Sequence, residues 1–178
     1  YIFNLKWGEE TDTDDSEGKV IKFSSIRPNK KNIEDTIKRF FLGSIRQKPP
    51  KFSAIKIKGN RAYKLAREGK DFDINDREVK IIQFDLLNNN DALQSEFKVK
   101  CTSGTYIRSL ARDLANKLGT CGHATFINRI QDNFFKIDES LDLETLFGYN
   151  CYLFNKNILP LEFVLKDVMV VEIEDSYM

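Results

Sequence analysis

One histidine, three cysteines and no long apolar run exclude much of the chemistry open to a chain of 178 residues. Cys101, Cys121 and Cys151 are odd in number and irregularly spaced, which fits neither a disulfide framework nor a zinc site. Cys121-Gly122-His123 resembles half of a metal motif, but no second Cys/His pair exists to close a tetrahedral site. A reducing cytoplasm is the expected compartment. A Ser/His or Cys/His mechanism would depend on His123 alone, and His123 is expected to be a structural residue in a turn. No segment approaches the roughly 20 apolar residues that a membrane-crossing helix needs, and no secretory pattern opens the chain. The sequence begins at Tyr1, without an initiator Met and already inside a strand pattern, and reads as a piece missing its N-terminal part.

The length predicts one domain, or one domain with a small appendage, large enough to bury a core. Apolar and charged fractions of 41% and 31% are those of an ordinary globular protein. A formal net charge of +1 hides a strong polarity along the chain. Glu9, Glu10, Asp12, Asp14, Asp15 and Glu17 form an acidic block with no base among them. Arg46 to Lys70 holds nine cations against one carboxylate, Glu68. Phe52, Ile55, Ile57 and Tyr63 interrupt that basic run, which is less typical of a plain solvated charge tract. Such a block would attract a phosphate backbone.

Hydrophobic periodicity supplies the elements. Tyr1, Phe3, Leu5 and Trp7 alternate on one face of a strand. Gly8 to Gly18 reads as an acidic loop and Lys19 to Ser24 as a second strand. Asn32 is placed to cap a helix carrying Ile33, Ile37, Phe40 and Phe41, ended by Gly43. Gln47-Lys48-Pro49-Pro50 breaks regular structure. A strand over Phe52–Lys58 and a helix over Asn60–Gly69, with Ala62, Leu65 and Ala66 inward, follow. Further strands are predicted over Val79–Leu86, up to Cys101 and over Thr125–Ile130, with a turn at Asn88-Asn89-Asn90-Asp91. Beyond Ile137 a small helical tail is expected, with Asp142 as its cap. Strands separated by only two long helices predict an α+β fold with a mixed or antiparallel sheet.

The stretch CTSGTYIRSLARDL at 101–114 carries the most information. An alternating run from Glu96 to Cys101 meets Thr102-Ser103-Gly104-Thr105. Helical spacing then begins, with Ile107, Leu110, Leu114 and Leu118 on one stripe and Gly119 placed to stop it. A turn at a helix N-terminus offers unpaired N–H groups and the positive end of the dipole to an anion. Tyr106 and Arg108 lie off the apolar stripe, and an aromatic ring beside a fixed cation suits a phosphate, carboxylate or nucleobase. The alternative is a surface arginine and a packing tyrosine at an ordinary strand–helix junction.

Three motifs in register resemble the bacterial TruB family of tRNA pseudouridine synthases, which isomerise a T-arm uridine. They are Tyr1…Trp7-Gly8…Thr11-Asp12-Thr13-Asp14…Gly18, the segment QKPPKFSAIKIKGNRAYKLAREG at 47–69, and the 101–114 stretch followed by Leu118-Gly119-Thr120…Gly122-His123. The likeness runs from Tyr1 to about Ile130. It implies a pseudouridine-synthase-like α+β fold, a mixed or antiparallel sheet flanked by helices, with a basic strand–helix insertion at about 47–78. Residues 1–136 would be a partial catalytic domain and 137–178 a short C-terminal segment. The family's nucleophile is the aspartate of a Gly-x-Leu-Asp motif, and no Gly-x-Leu-Asp occurs in these 178 residues. The acidic block is not a substitute, because the family has its own TDTxD loop there.

By resemblance, Tyr1 stacks on the flipped uracil and is a candidate for proton transfer, and Arg108 pairs with the catalytic aspartate. Tyr106 lines the same pocket, Ile127 walls its far side, and Arg129 keeps one of the family's paired arginines in the substrate region. Lys56, Lys58, Arg61, Lys64 and Arg67 of the insertion would contact phosphates and add affinity without sequence information. The chemistry makes these residue types sensible. Exchanging a C–N for a C–C glycosidic bond needs an oriented anion, little water and faces that hold a base drawn from its stack. The scheme demands no cofactor and no metal. The expected partner is the T-arm stem–loop of tRNA, with no membrane, and the full-length protein is expected to be a monomer. Two departures stand out: Asn128 replaces the first of two arginines, and Asn133-Phe134-Phe135 replaces Gly-x-Phe. Asparagine tolerates the left-handed conformation, so that turn is expected to survive. A non-catalytic tRNA binder or RNA-folding chaperone on the same scaffold is the alternative function.

Overall fold

The alternating N-terminal segment forms strand β1 (Ile2–Trp7), in which Phe3, Leu5 and Trp7 are buried to 1% exposure or less. The structure is a computed structural model and describes residues 1–144 and 158–165. In chain order β1 is followed by β2 (Glu9–Thr11), β3 (Val20–Phe23), α1 (Lys30–Phe40), β4 (Gly43–Gln47), β5 (Lys56–Ile57), β6 (Asn60–Arg61) and α2 (Ala62–Arg67). Then come β7 (Arg77–Asp91), β8 (Gln94–Cys101), α3 (Ile107–Lys117), β9 (Gly122–Asn128), β10 (Gln131–Asp132) and β11 (Phe135–Lys136). The chain divides into two compact units, Tyr1–Asn128 and Arg129–Met178.

The first unit is built on a five-stranded sheet in the order β4-β7-β8-β1-β9, with every neighbouring pair antiparallel. Helices α1 and α3 pack their apolar stripes (Ile33 and Ile37; Ile107, Leu110, Ala111 and Leu114) into one core with Phe3, Leu5, Trp7, Phe84, Phe97 and Val99. Phe3 and Phe97 stack with ring centroids 5.2 Å apart, and the Trp7 indole N–H donates to Ser95 Oγ at 2.7 Å. Buried aromatics of this kind dominate core energetics, and the polar handle of Trp7 is satisfied inside.

Several sequence expectations are corrected. The acidic segment is not all loop, because Glu9–Thr11 pairs antiparallel with Val20–Phe23 as a small hairpin. Helix α1 starts earlier than expected and is capped by Asn29, whose side chain accepts from the Asn32 N–H at 2.9 Å. Phe40 is 43% exposed while Ile33 and Ile37 are buried, and Gly43 opens β4 instead of closing the helix. Strand β4 itself, Gly43–Gln47, has no clear apolar alternation to announce it. The alternating run Phe52–Lys58 yields only the two-residue β5, which pairs with the equally short β6 and stays outside the five-stranded sheet. The asparagine cluster at 88–91 continues β7, and the turn falls at residues 92–93. His123 is structural as expected, but it lies within β9, 4% exposed, with Nδ1 2.8 Å from the Glu9 carbonyl.

In the second unit β10 and β11 form a hairpin whose turn holds Asn133 at φ +52°, the left-handed conformation expected of it. Phe163 packs on Phe134 and Phe135, with ring centroids 6.4 and 5.4 Å apart. Past Ile137 a short 3₁₀ turn, Ile137–Glu139, is followed by Asp142, whose carboxylate accepts from the Glu144 N–H at 2.8 Å. The rest of the expected helical tail lies largely outside the described residues.

Candidate active site

Strand β8 ends at Cys101 and the chain turns through Gly104, at φ +83°, into α3, whose N-cap is Tyr106. No side chain caps this helix from within. The Tyr106 backbone is instead clasped by Gln47, which is 1% exposed. The Gln47 amide donates to the Tyr106 carbonyl at 3.1 Å and accepts from its N–H at 2.8 Å. One buried amide thus pins the end of β4 to the start of α3.

Arg108 and Arg112 lie one turn apart on the face of α3 away from the apolar stripe, so their guanidinium groups point the same way. Arg108 Nη1 donates to Asp15 Oδ2 at 2.7 Å and to the Thr13 carbonyl at 3.1 Å, and Nη2 donates to the Phe52 carbonyl at 2.9 Å. Two of its five N–H donors are left over among the described residues. Asp15 is held in turn by the Thr13 hydroxyl at 2.6 Å and the Glu17 N–H at 3.1 Å. The anion that an arginine in the first turn of a helix calls for is therefore present, and it comes from the acidic block. Ion pairs of this kind, about one quarter exposed and with both partners otherwise hydrogen-bonded, hold geometry better than surface pairs do.

Asp14 sits at φ +62°, a conformation aspartate tolerates, and this sends the neighbouring carboxylates to successive arginines. Its carboxylate accepts from Arg112 Nη1 at 2.7 Å and its carbonyl accepts from the Ala124 N–H at 3.1 Å, which seats the loop on β9. Gly18 is required by packing, since a Cβ there would collide with Thr13 Oγ1 and Asp12 Oδ1. Burial pushes the Asp14 carboxyl up to about 6, against the opposing pull of Arg112.

That shift predicts a pH dependence. A carboxyl raised from 3.8 to about 6 stays protonated in the folded state at pH values where the unfolded chain has ionised. Its stabilising contribution is full below about pH 4 and falls as pH rises through 6, by up to about 3 kcal/mol. Urea unfolding of the full-length protein should show the stability difference between wild type and Asp14→Asn moving in favour of the variant from pH 4 to pH 7. A pH-independent difference would mean that Asp14 ionises freely.

Register places the other candidates at the same end of the sheet. Ile2 pairs with Lys98 and with Asn128, and Tyr1 exchanges backbone hydrogen bonds with Val99 at 2.8 and 2.9 Å. Tyr1 and Ile127 thus flank the strand ends from which β8 turns into α3. Ile127, the cross-strand partner of Phe3, is 40% exposed, and Tyr1 is partly buried against the core. Arg129 belongs to the second unit, where it pairs with Asp132 at 2.8 Å. Burial raises the Cys101 and Cys121 thiols, which makes both poor thiolate nucleophiles.

The basic insertion is the excursion between β4 and β7, closed at its root where Gln47 pairs with Arg77. The run of cations ends at Lys70, just short of the acids that answer it. Arg46, Lys48 and Lys51 lie 4.0, 2.6 and 3.8 Å from Asp76, Asp73 and Asp71 on the returning limb. Positive charge is thereby concentrated at the tip, on Lys56, Lys58, Lys64 and Arg67, all exposed. Arg61 is partly committed, since it donates to the Ala54 carbonyl. Lys58 and Gly59, at φ +46° and +86°, form the tight turn between β5 and β6.

Sequence reasoning missed Asp14, Asp15, Gln47 and Arg112. A signal existed for Arg112, four residues beyond Arg108 on the same helix face. The pairing of Asp14 and Asp15 with these arginines depends on contacts across more than 90 residues, which spacing alone does not reveal.

Known proteins share this arrangement of strands and helices. The profile described as "TruB family pseudouridylate synthase (N terminal domain)" matches residues 1–107. The tRNA pseudouridine synthase B of Ehrlichia canis (strain Jake) is 38% identical over 94% of this chain and 56% of its own length. That of Wolbachia pipientis subsp. Culex pipiens (strain wPip) is 44% identical over 91% of this chain and 46% of its own length. A chain in the crystal structure of a Cbf5–Nop10–Gar1 complex shares the fold, with a TM-score of 0.60 and 22% identity over 93% of this chain and 43% of that one. The fold is thus of the pseudouridylate synthase class. The chain belongs to the TruB family. It spans about half the length of the curated relatives it matches.

Proposed function

We propose that this chain supplies the arginine site and RNA-gripping finger of a tRNA pseudouridine synthase that isomerises a T-arm uridine. The observation that carries the reading is Arg108, held at a helix N-terminus on Asp15 and two carbonyls with N–H donors left for a second carboxylate. That carboxylate would be the nucleophilic aspartate, which has no Gly-x-Leu-Asp counterpart among residues 1–178. The reaction breaks the bond from C1′ to uracil N1 and makes one from C1′ to C5, with the C5 proton lost and N1 gaining one. Arg108 would fix and ionise the aspartate through the planar contact that only a guanidinium makes. Tyr1, Tyr106 and Ile127 would hold the freed uracil away from water. A cytoplasmic location accords with a tRNA substrate, and among the described residues no helix is long and apolar enough to cross a membrane.

The test is nucleoside analysis of a T-arm stem–loop incubated with the full-length protein. Conversion of one uridine per stem–loop is expected. Tight binding without conversion would favour the RNA-folding chaperone instead.

The finger makes a separate prediction. Substituting Lys56→Ala, Lys58→Asn and Lys64→Ala together removes three tip charges, with Asn chosen at 58 because it accepts the left-handed turn. The slope of log affinity against log salt should flatten by roughly two to three units, equally for all tRNAs. An unchanged slope would remove the finger from RNA contact.

A further inference from the structure

Arg112 makes a second crossing between the acidic loop and the finger, one helical turn beyond Arg108. Its Nη1 donates to Asp14 Oδ2 at 2.7 Å and its Nη2 donates to the Lys48 carbonyl at 2.7 Å. Its Nε donates to Asp113 Oδ1 at 3.0 Å, which fixes the plane of the guanidinium. The Ser109 hydroxyl donates to the same Lys48 carbonyl at 2.9 Å, so the first residue of the finger is held by two side chains of α3. The ion pair Lys48–Asp73 across the finger root is 54% and 81% exposed at its side chains and contributes little. By contrast, Gln47 on Tyr106 and Arg108 on the Phe52 carbonyl hold the residues on either side of Lys48. The Arg112–Asp14 pair is 17% and 9% exposed, which makes it the shielded ion pair that fixes Lys48 itself.

We propose that Arg112 is a positioning residue, a latch that sets where the finger stands over the Arg108 site by tying Lys48 to Asp14. The proposal rests on the reading above that the finger grips RNA. A lysine at this position reaches either Asp14 or the Lys48 carbonyl, and cannot offer the two divergent donors of a guanidinium. Arg112 bonds to Asp14, Asp113 and Lys48 and to neither Arg108 nor Asp15, so its loss is expected in affinity and not in the chemical step.

The experiment is a double-mutant cycle in the full-length protein, reading dissociation constants for the T-arm stem–loop and single-turnover rates at saturating RNA. Arg112→Ala and Arg112→Lys should each weaken binding by about tenfold, with single-turnover rates within about twofold of wild type. Combined with the finger variant Lys56→Ala/Lys58→Asn/Lys64→Ala, Arg112→Ala should weaken binding by no more than about twofold further, because the finger it positions no longer contributes. Additive losses overturn the latch, and so does a fall in turnover with affinity unchanged. Near-normal affinity in Arg112→Lys, with folding verified by thermal unfolding, also overturns it. A finger variant that binds as wild type overturns the finger reading itself, and that result is visible without any change at Arg112.

Discussion

Residues 1–178 purified alone will form no pseudouridine, even in excess over a T-arm RNA. The proposed chemistry begins with an aspartate at the sugar, and the carboxylates this chain offers near Arg108 are already committed. Asp15 has one oxygen on Arg108 and the other on the Thr13 hydroxyl and Glu17 N–H. Asp14 is buried and faces Arg112. Neither is free to reach a ribose without dismantling the loop. The expected loss is complete, since removing a nucleophile leaves only binding and orientation. Measurable conversion by the purified 178 residues would redirect the catalytic assignment to Asp14 or Asp15.

In the full-length protein, Arg108→Lys should fail nearly as badly as Arg108→Ala. Lysine keeps the charge but presents one compact ammonium where Arg108 spans Asp15 and the carbonyls of Thr13 and Phe52. It cannot hold these three and orient a second carboxylate as well. A carboxylate displaced by about 1 Å costs on the order of 100-fold in rate. RNA affinity should change by less than about threefold, because the exposed tip cations are untouched and Arg112, Ser109 and Gln47 still hold the finger at its root. The loss belongs to turnover, not to binding. An ordinary turn arginine would tolerate lysine with near-normal rates.

How much of this was legible in the sequence depends on the range of the contacts involved. Period-2 alternation revealed β1 and the end of β8, because one face of each is buried by core residues such as Phe3 and Phe97. The stripe Ile107, Leu110, Leu114 revealed α3 for the same reason. Gly43–Gln47 was missed because its side chains have little apolar alternation, and pairing with β7 makes it a strand. Phe52–Lys58 failed in the opposite way, as its alternation meets only the two-residue β6 and no larger sheet. At the site, Tyr106 and Arg108 were readable from a strand–turn–helix pattern that is local. Their clamps, Gln47 and Asp15, lie 59 and 93 residues away along the chain, and only the folded sheet brings them together. The finger's charge was over-read for a related reason: Asp71, Asp73 and Asp76 neutralise its root from the returning limb.

Arg108 is proposed to act in the isomerisation step, and loss of tritium from uracil C5 reports that step directly. A T-arm stem–loop labelled at C5 is mixed with excess full-length protein, wild type or Arg108→Lys, with RNA saturation verified by filter binding. The prediction is stoichiometric tritium release by wild type and release slowed by about 100-fold or more in Arg108→Lys, with the RNA still retained. No release by wild type, or equal release by both proteins, would contradict it.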